Sequence, residues 1–269
     1  IVVEELSTRL VEMGNQVDVY NRLGHHVSGK DFDSQQKLKK YKGVNLFTVF
    51  TFEDSKLNAL VYSFLATIKA IFKNYNIIHY HAEGPSAMIV IAHLFKKKTI
   101  ATIHGLDWKR AKWGGFATKY LKFGEKMAAK YADEIIVLSE NTKEYFLNTY
   151  NRKTNLIPNG IEKPVLKECK IIKEKWGLEK DNYILFLGRL VPEKGLHYLI
   201  EAYKSIKTDK KLVIAGGNSH ADEYTNQIKN MASGNVNIIF TDFVQGETLE
   251  ELYSNAYLYC LPSELEGMP

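Results

Sequence analysis

The sequence has few cysteines and no long apolar segment, and both absences exclude classes of protein. Cys169 and Cys260 are the only two cysteines among 269 residues, and they lie far apart without metal-site spacing. A disulfide scaffold is therefore excluded, and a reducing compartment fits the composition. No run of about 18 apolar residues and no charged-then-apolar leader is present, so the sequence predicts neither a transmembrane helix nor a signal peptide.

The remaining composition is that of a globular protein with unevenly distributed charge. Hydrophobic residues make up 45% of the chain and charged residues 25%, and the length suits one large domain or two medium ones. Residues 1–157 contain 23 lysines and arginines against 15 acidic residues, whereas residues 158–269 contain 13 against 16. This asymmetry indicates two units with different surroundings, although solvated helix faces account for it equally well.

Apolar runs alternate with helical patterns along nearly the whole chain, which is typical of parallel sheets covered by helices. These elements include a predicted helix over 85–95 and a predicted buried strand over 257–261. Two prolines and an Asn-Gly pair mark a linker within 155–168. The sequence therefore predicts an α/β fold of two doubly wound, Rossmann-like domains, residues 1–157 and 158–269. Ligands are expected at the strand ends, in a cleft between the domains.

The segment FLGRLVPEKGL carries the first candidate site. A buried strand ends at Gly188, Arg189 follows at once, and Lys194 is predicted to begin the next helix. A guanidinium, an ammonium and unpaired helix N-terminal amides at one strand end suit an anion, most simply a phosphate or diphosphate. A helix that begins beside two surface cations gives the same pattern without any ligand.

Three further segments lie at the predicted domain crossing or at the ends of predicted strands. IPNGI marks the crossing between the domains, ATIHGLD places His104 and Gly105 at the end of a front-domain strand, and PSELEGMP places Glu266 and Gly267 at the end of a back-domain strand. In this order and on these elements, the segments resemble the family 4 glycosyltransferases, which are retaining enzymes of the GT-B fold. The resemblance covers nearly the whole chain.

The resemblance implies a role for each matching residue. In that family, the residues that match the Gly-Arg pair and the later Lys-Gly pair of FLGRLVPEKGL hold the donor diphosphate. Glu266 matches the first of two glutamates separated by seven residues and, with the amides after it, approaches the donor sugar, which His104 faces across the cleft. The predicted catalytic residues are His104, Arg189, Lys194 and Glu266, and the predicted donor-binding residues are Gly188, Arg189, Lys194, Glu266 and Gly267.

Three residues of the front domain are candidates for the acceptor side. His81 and Glu83 lie in HYHAEGPS at the end of another strand, where they either line an acceptor pocket or cap the helix that contains Pro85. Asp107 follows His104 by three residues. A histidine at a strand end is also often a hydrogen-bonded structural residue, but the strand-His-Gly context favours a functional His104.

The resemblance further implies a retaining transfer of a sugar from a nucleotide-sugar donor to a lipid-linked or other glycan acceptor in surface polysaccharide synthesis. A UDP-sugar is the first expectation, and a GDP- or dTDP-sugar is the alternative. No metal or other cofactor is expected, since Arg189, Lys194 and backbone amides suit the charge of a leaving diphosphate. Two rivals stay open: another GT-B nucleotide-sugar enzyme, such as an epimerase or a phosphorylase, and an inactive remnant that binds a membrane or a partner. No nucleic-acid-binding motif is recognised.

The basic segment 108–131 predicts contact with an anionic membrane surface. Glu125 is its one acidic residue, its aromatic residues are Trp108, Trp113, Phe116, Tyr120 and Phe123, and its cations are Lys109, Arg110, Lys112, Lys119, Lys122, Lys126 and Lys130. The alternative is a helix whose aromatic side chains pack on the sheet while its lysines face water. We expect a cytoplasmic protein, peripheral at the inner face of the membrane.

The chain is also expected to be a piece of a longer enzyme, lacking both ends. It begins inside the first predicted helix, whereas the family begins with a strand and a Gly-rich loop. The second glutamate of the family's pair would follow Pro269. By usual domain sizes, about a third of the second domain is expected to be missing.

Overall fold

The computed structural model describes residues 2–22, 38–52, 58–109, 115–161, 163–217, 222–264 and 266. These residues form two compact units, of which the first ends at Gly160 and the second runs from Ile161 to Glu266.

The first unit alternates short strands with helices. In chain order its elements are α1 (Val2–Glu12), β1 (Asp18–Arg22), β2 (Lys40–Tyr41), β3 (Val44–Val49), α2 (Asn58–Ile71), β4 (Ile78–His81), α3 (Glu83–Ser86), α4 (Ile89–Leu94), β5 (Thr99–Ile103), α5 (Gly115–Tyr131), β6 (Glu134–Val137), α6 (Glu140–Tyr150) and β7 (Asn155–Leu156). A 3₁₀ turn over Asp107–Lys109 lies between β5 and α5. The described strands form two sheets, ordered β1-β3-β2 and β4-β5-β6-β7, and β2 alone among them pairs antiparallel.

The larger sheet of the first unit is buried at its centre, where β5 lies between β4 and β6. The β5 sequence TIATI places Ala101 and Ile103 in the core with no exposed surface, as expected for a parallel strand covered on both faces. Helix α5 packs closely on α3, since a Cβ atom added at Gly124 would lie 1.9 Å from the carbonyl oxygen of Glu83. This packing places α5 beside the strand ends that carry the candidate residues.

The second unit has a single sheet among its described residues. Its elements are α7 (Ile171–Trp176), β8 (Tyr183–Leu187), α8 (Leu196–Ser205), β9 (Lys211–Ala215), α9 (Asp222–Ala232), β10 (Ile238–Asp242), α10 (Glu247–Asn255) and β11 (Leu258–Tyr259). The sheet order is β10-β9-β8-β11, and all three pairings are parallel. Leu196, Ile200 and Tyr203 form the buried stripe of α8, with the spacing expected of an amphipathic helix.

The doubly wound α/β class predicted from the sequence is confirmed, but two predicted elements are wrong in detail. The predicted helix over 85–95 is two short helices, α3 and α4, because the amides of Ala87 and Met88 bond three residues back and tighten the turn between them. The predicted buried strand over 257–261 pairs only as β11, outside β8. Leu258 and Tyr259 are each 42% exposed there, because the outermost strand of a sheet has a neighbouring strand on one side only.

Candidate active site

Two glycines allow the strand ends of β8 and β9 to touch. The Gly188 amide donates a hydrogen bond to the carbonyl of Ala215 (3.0 Å). A Cβ atom added at Gly216, whose φ is +151°, would lie 1.8 Å from the Gly188 carbonyl oxygen. Any side chain at Gly216 would displace this backbone, so the glycine is needed for the close approach of the two strand ends.

The turn after Gly188 presents two cations and a required glycine. Arg189 is exposed, and Lys194 is the last residue of a 3₁₀ turn over Pro192–Lys194. Gly195 then has φ +66°, and a Cβ atom added to it would lie 2.0 Å from the carbonyl oxygen of Pro262. The sequence prediction that Lys194 begins the next helix is therefore wrong, because Gly195 in the left-handed region separates the turn from α8.

Lys194 is joined to Glu266 by an ion pair. The two side chains are 16% and 22% exposed, so both are mostly buried. The amide of Glu264 donates to the carbonyl of Glu193 (3.1 Å), and its carboxylate accepts a hydrogen bond from the Tyr198 hydroxyl (3.0 Å). These contacts bring the segment after β11 onto the Pro192–Gly195 turn. Gly267 lies outside the described residues.

The N-terminal amides of α8 are less available than the sequence predicts. The amide and ring Nδ1 of His197 both lie within hydrogen-bond distance of the Tyr224 hydroxyl, at 3.3 and 2.9 Å. Tyr224 lies on α9 and is largely buried, and sequence reasoning did not identify it. Its hydroxyl takes one donor that the predicted anion site counted as unpaired.

Three histidines of the first unit stack at the ends of β4 and β5. The rings of His79 and His81 lie 4.2 Å apart between centroids, and those of His81 and His104 lie 5.4 Å apart, in both cases nearly parallel. His81 Nδ1 lies 3.2 Å from His104 Nε2, and His79 Nε2 lies 2.7 Å from Thr102 Oγ1. The parallel pairing of β4 with β5 sets this arrangement, since it places His81 opposite Thr102.

Burial keeps these rings neutral. Burial first, and then the charge of its neighbour His104, lowers the pKa of His79 to about 4. The pKa of His81 falls to about 3 for the same reason, with contributions from both other rings. Burial also lowers the pKa of His104, against an opposing effect of Asp107. At neutral pH each ring therefore has one protonated and one unprotonated nitrogen.

Glu83 is buried at the start of α3 and does not cap a helix through its side chain. Its side chain has no exposed surface, and neither carboxyl oxygen has a well-aligned hydrogen-bond partner among the described residues. Burial, together with the negative charges of Asp107 and Glu125, raises the pKa of Glu83 to about 9. The carboxyl group is therefore protonated at neutral pH.

Glu125, which sequence reasoning assigned to a basic surface helix, is also fully buried. Its carboxylate accepts hydrogen bonds from Trp108 Nε1 (2.9 Å), the Tyr145 hydroxyl (2.8 Å) and the Tyr150 hydroxyl (2.5 Å). The carboxylate thereby ties α5 to α6 and to the 3₁₀ turn that contains Asp107. Its place as the one acidic residue in a basic segment was the only sequence signal of this role.

The basic segment splits into a packed and an exposed face. Trp108 binds Glu125, and the Tyr120 hydroxyl donates to the Gly84 carbonyl (2.9 Å), so both rings face the protein. Phe116 and Phe123 are 70% and 47% exposed, and they share the helix surface with the exposed Lys119, Lys122, Lys126 and Lys130. Trp113, Arg110 and Lys112 lie outside the described residues.

No described helix combines the length and the apolar character needed to cross a bilayer. No group of three or more histidine, cysteine, aspartate or glutamate side chains in the described ranges is arranged to hold a metal ion. Asp31 and Asp33 have the Asp-x-Asp spacing common at metal-dependent sugar-transfer sites, but they lie outside those ranges.

Solved structures define the fold class. Sucrose-phosphate synthase of Thermosynechococcus elongatus superimposes with a TM-score of 0.77 at 19% identity, covering 99% of this chain and 70% of that one. The Anabaena protein HepE in complex with UDP-glucose gives a TM-score of 0.69 at 13% identity, covering 92% and 74%. The chain has the GT-B fold.

Family models then identify the chain. Residues 1–163 match the model described as Glycosyltransferase Family 4, and residues 169–269 match Glycosyl transferases group 1. The chain belongs to glycosyltransferase family 4.

Curated relatives are moderately similar to this chain. An uncharacterized glycosyltransferase of Methanocaldococcus jannaschii is 29% identical over 208 residues, or 71% of this chain and 53% of that protein. The capsular polysaccharide biosynthesis glycosyltransferase CapM of Staphylococcus aureus is 28% identical over 181 residues, or 62% and 47%. The chain spans about half the length of these relatives.

Proposed function

We propose that the protein is a retaining glycosyltransferase that moves a sugar from a nucleotide-sugar donor to a lipid-linked or other glycan acceptor. The family supports sugar transfer, and the similarity to CapM supports a role in surface polysaccharide synthesis. A UDP-sugar is the first candidate donor, because the structural neighbour HepE binds UDP-glucose. A GDP- or dTDP-sugar is the alternative.

The observation that carries this proposal is the joining of the Pro192–Gly195 turn to Glu266 at the end of β8. An ammonium group has three donors, so Lys194 can contact Glu266 and also donate to a phosphate oxygen. Arg189 adds an exposed guanidinium five residues earlier, with a planar fork that matches phosphate geometry. The arrangement can place a diphosphate beside a carboxylate that contacts the attached sugar.

The proposed chemistry depends on which groups gain charge in the transition state. Departure of the nucleotide diphosphate from a sugar leaves positive character on the sugar ring and negative charge on phosphate oxygens. We assign Arg189 and Lys194 to the developing phosphate charge, which fixed cations stabilise without reorganising. Glu266 and His104 are assigned to the donor sugar and Asp107 to the acceptor side. His81, which the sequence also placed on the acceptor side, contacts His104 instead. For Glu83 we infer a supporting role instead, since its carboxyl group is buried.

The test is product analysis with the full-length enzyme. It is incubated with UDP-, GDP- and dTDP-sugars and a lipid-linked acceptor, and the anomeric configuration of the product is read by NMR. A new glycoside with the donor's configuration supports the proposal. Release of epimerised nucleotide sugar supports an epimerase, and an inverted glycoside contradicts retention. A sugar 1-phosphate formed from the glycan when inorganic phosphate is added supports a phosphorylase.

A peripheral position at the cytoplasmic face of a membrane is the second part of the proposal. It is supported by the exposed face of α5, where Phe116 and Phe123 lie among four lysines. Apolar rings and lysines on one helix face suit an anionic bilayer surface.

Liposome flotation tests the membrane proposal. The protein should float with vesicles that contain anionic lipid and remain below with neutral vesicles. Charge reversal of Lys119, Lys126 and Lys130 to glutamate should abolish flotation, whereas reversal of the exposed Lys175, Lys180 and Lys207 in the second unit should not. Equal recovery with both lipid mixtures contradicts an electrostatic attachment.

A further inference from the structure

His81 and His104 meet through two ring nitrogens at a distance that permits a single shared proton. His81 Nδ1 lies 3.2 Å from His104 Nε2, and the rings are inclined by only 23°. Two N–H groups facing each other would repel, and two lone pairs would forgo the bond. One of these nitrogens therefore carries the proton and the other accepts it.

The surroundings hold the pair in this neutral, hydrogen-bonded state. His79 stacks on the other side of His81 and is itself anchored at Thr102 Oγ1. A proton added to any of the three rings would be buried beside two other imidazoles, which is unfavourable. Glu83 is buried nearby in its neutral form, so the charged group expected to face His104 is Asp107.

A shared proton links the tautomers of the two rings. If His81 Nδ1 carries the proton, His104 Nε2 is bare and His104 must be protonated at Nδ1. If His104 Nε2 carries it, His81 Nδ1 is bare and His81 must be protonated at Nε2. Both rings thus carry the same tautomer, either Nδ1–H or Nε2–H, and mixed tautomers break the bond.

We propose that His81 is a positioning residue that fixes the tautomer and the orientation of His104, with His79 and Thr102 holding His81 in place. The assignment of an active role to His104 rests on the proposed function, but the coupling of the two rings does not. An imidazole fixed in this way presents a donor or an acceptor to a sugar hydroxyl, but not both in alternation. His81 would therefore act on the sugar through His104.

The direct test is ¹⁵N NMR of the imidazole groups in the intact protein at pH 7. We expect His81 and His104 to give sharp signals of the same single tautomer. Different tautomers for the two rings, or averaged signals for either, would overturn the proposal.

Three variants separate positioning from folding. His81→Phe keeps a stacking ring but removes the nitrogen, and His104 should then lose its single tautomer. His81→Asn returns a polar atom near the Nδ1 position. The matched control is His93→Asn, an exposed α4 histidine that contacts the Tyr131 ring, and it should leave the His104 signal unchanged. A His81→Phe protein that unfolds at the wild-type temperature but keeps a single His104 tautomer contradicts the role.

Kinetics of the full-length enzyme complete the test. Loss of an orienting partner should lower kcat by about 10- to 100-fold in His81→Phe with little change in the donor KM, and His81→Asn should recover most of it. Matched tautomers in an enzyme that transfers no sugar would leave the pair standing and overturn the proposed function. Sugar transfer by an enzyme with unmatched tautomers would overturn the coupling of His81 to His104 and leave the proposed function standing.

Discussion

The strand ends of the two units treat charge in opposite ways. In the first unit, burial favours neutral forms, so that three imidazoles are uncharged and the pKa of Glu83 is raised to about 9. In the second unit, a lysine and a glutamate remain partly exposed and pair as ions, beside an exposed arginine. Neutral groups can orient a sugar hydroxyl by hydrogen bonds, whereas fixed cations suit a phosphate. We therefore expect the first unit to recognise a sugar hydroxyl and the second unit to stabilise the leaving diphosphate.

The largest expected effect comes from removing a buried carboxyl group to which three side chains donate hydrogen bonds. Glu125→Ala leaves three hydrogen-bond donors without their acceptor and should lower the free energy of unfolding by about 3–4 kcal/mol. Urea denaturation of the variant and the wild type measures this difference in the free energy of unfolding. The control is Glu140→Ala, which breaks only an exposed pair with Lys143 and should cost less than about 0.5 kcal/mol. A loss below about 1 kcal/mol for Glu125→Ala would mean that the carboxylate does not hold this packing.

Removing a cation from the second site should affect catalysis and leave stability unchanged. Arg189→Ala should lower kcat/KM for the nucleotide sugar by a factor that corresponds to about 2–4 kcal/mol of lost transition-state stabilisation. This is the usual size of one lost charged contact in the transition state. Because Arg189 is exposed, the unfolding curve of the variant should match that of the wild type. Lys180→Ala, which removes another exposed cation of the same unit, is the control. Equal kinetics for the two variants would remove Arg189 from the site.

The contact between Gly195 and Pro262 can be separated from backbone strain. Gly195→Ala should cost about 2–3 kcal/mol, because the residue has a positive φ and its Cβ would collide with the Pro262 carbonyl. Gly234→Ala has a similar φ of +79° but open space around it, and should cost about 1 kcal/mol. Thermal unfolding compares the two. Equal losses would show that the segment after β11 contributes nothing at this turn.

The sequence predicted the features that depend on neighbouring residues and missed those that depend on distant ones. A short β-branched run followed by His-Gly was enough to place His104 at the end of β5, and the same reasoning placed Gly188 after β8. Glu125 could not be predicted, because its three donors come from Trp108, Tyr145 and Tyr150 on other elements. Burial of Glu83 likewise depends on the close packing of α5 against α3, which no local pattern encodes.

The last prediction, smallest when counted per pH unit, is a slope of stability with pH that tests whether Glu83 is neutral. A raised pKa means that the folded protein holds a proton that the unfolded chain releases above about pH 4.5. Stability therefore falls as pH rises toward 9, by at most about 1.4 kcal/mol per pH unit. Glu83→Gln keeps the shape of the neutral acid and cannot titrate, so its stability should not show this fall.

Urea unfolding between pH 7.5 and 8.5 tests this, because an ordinary imidazole pKa of about 6.5 leaves the unfolded histidines mostly neutral there. In the folded protein, burial keeps His79 and His81 neutral over the same range. The variant should gain stability over the wild type as the pH rises. Parallel pH profiles would mean that Glu83 is ionised in the folded protein. Glu83 would then be a buried negative charge two residues after His81, and the contrast between neutral groups in the first unit and the ion pair in the second would no longer hold.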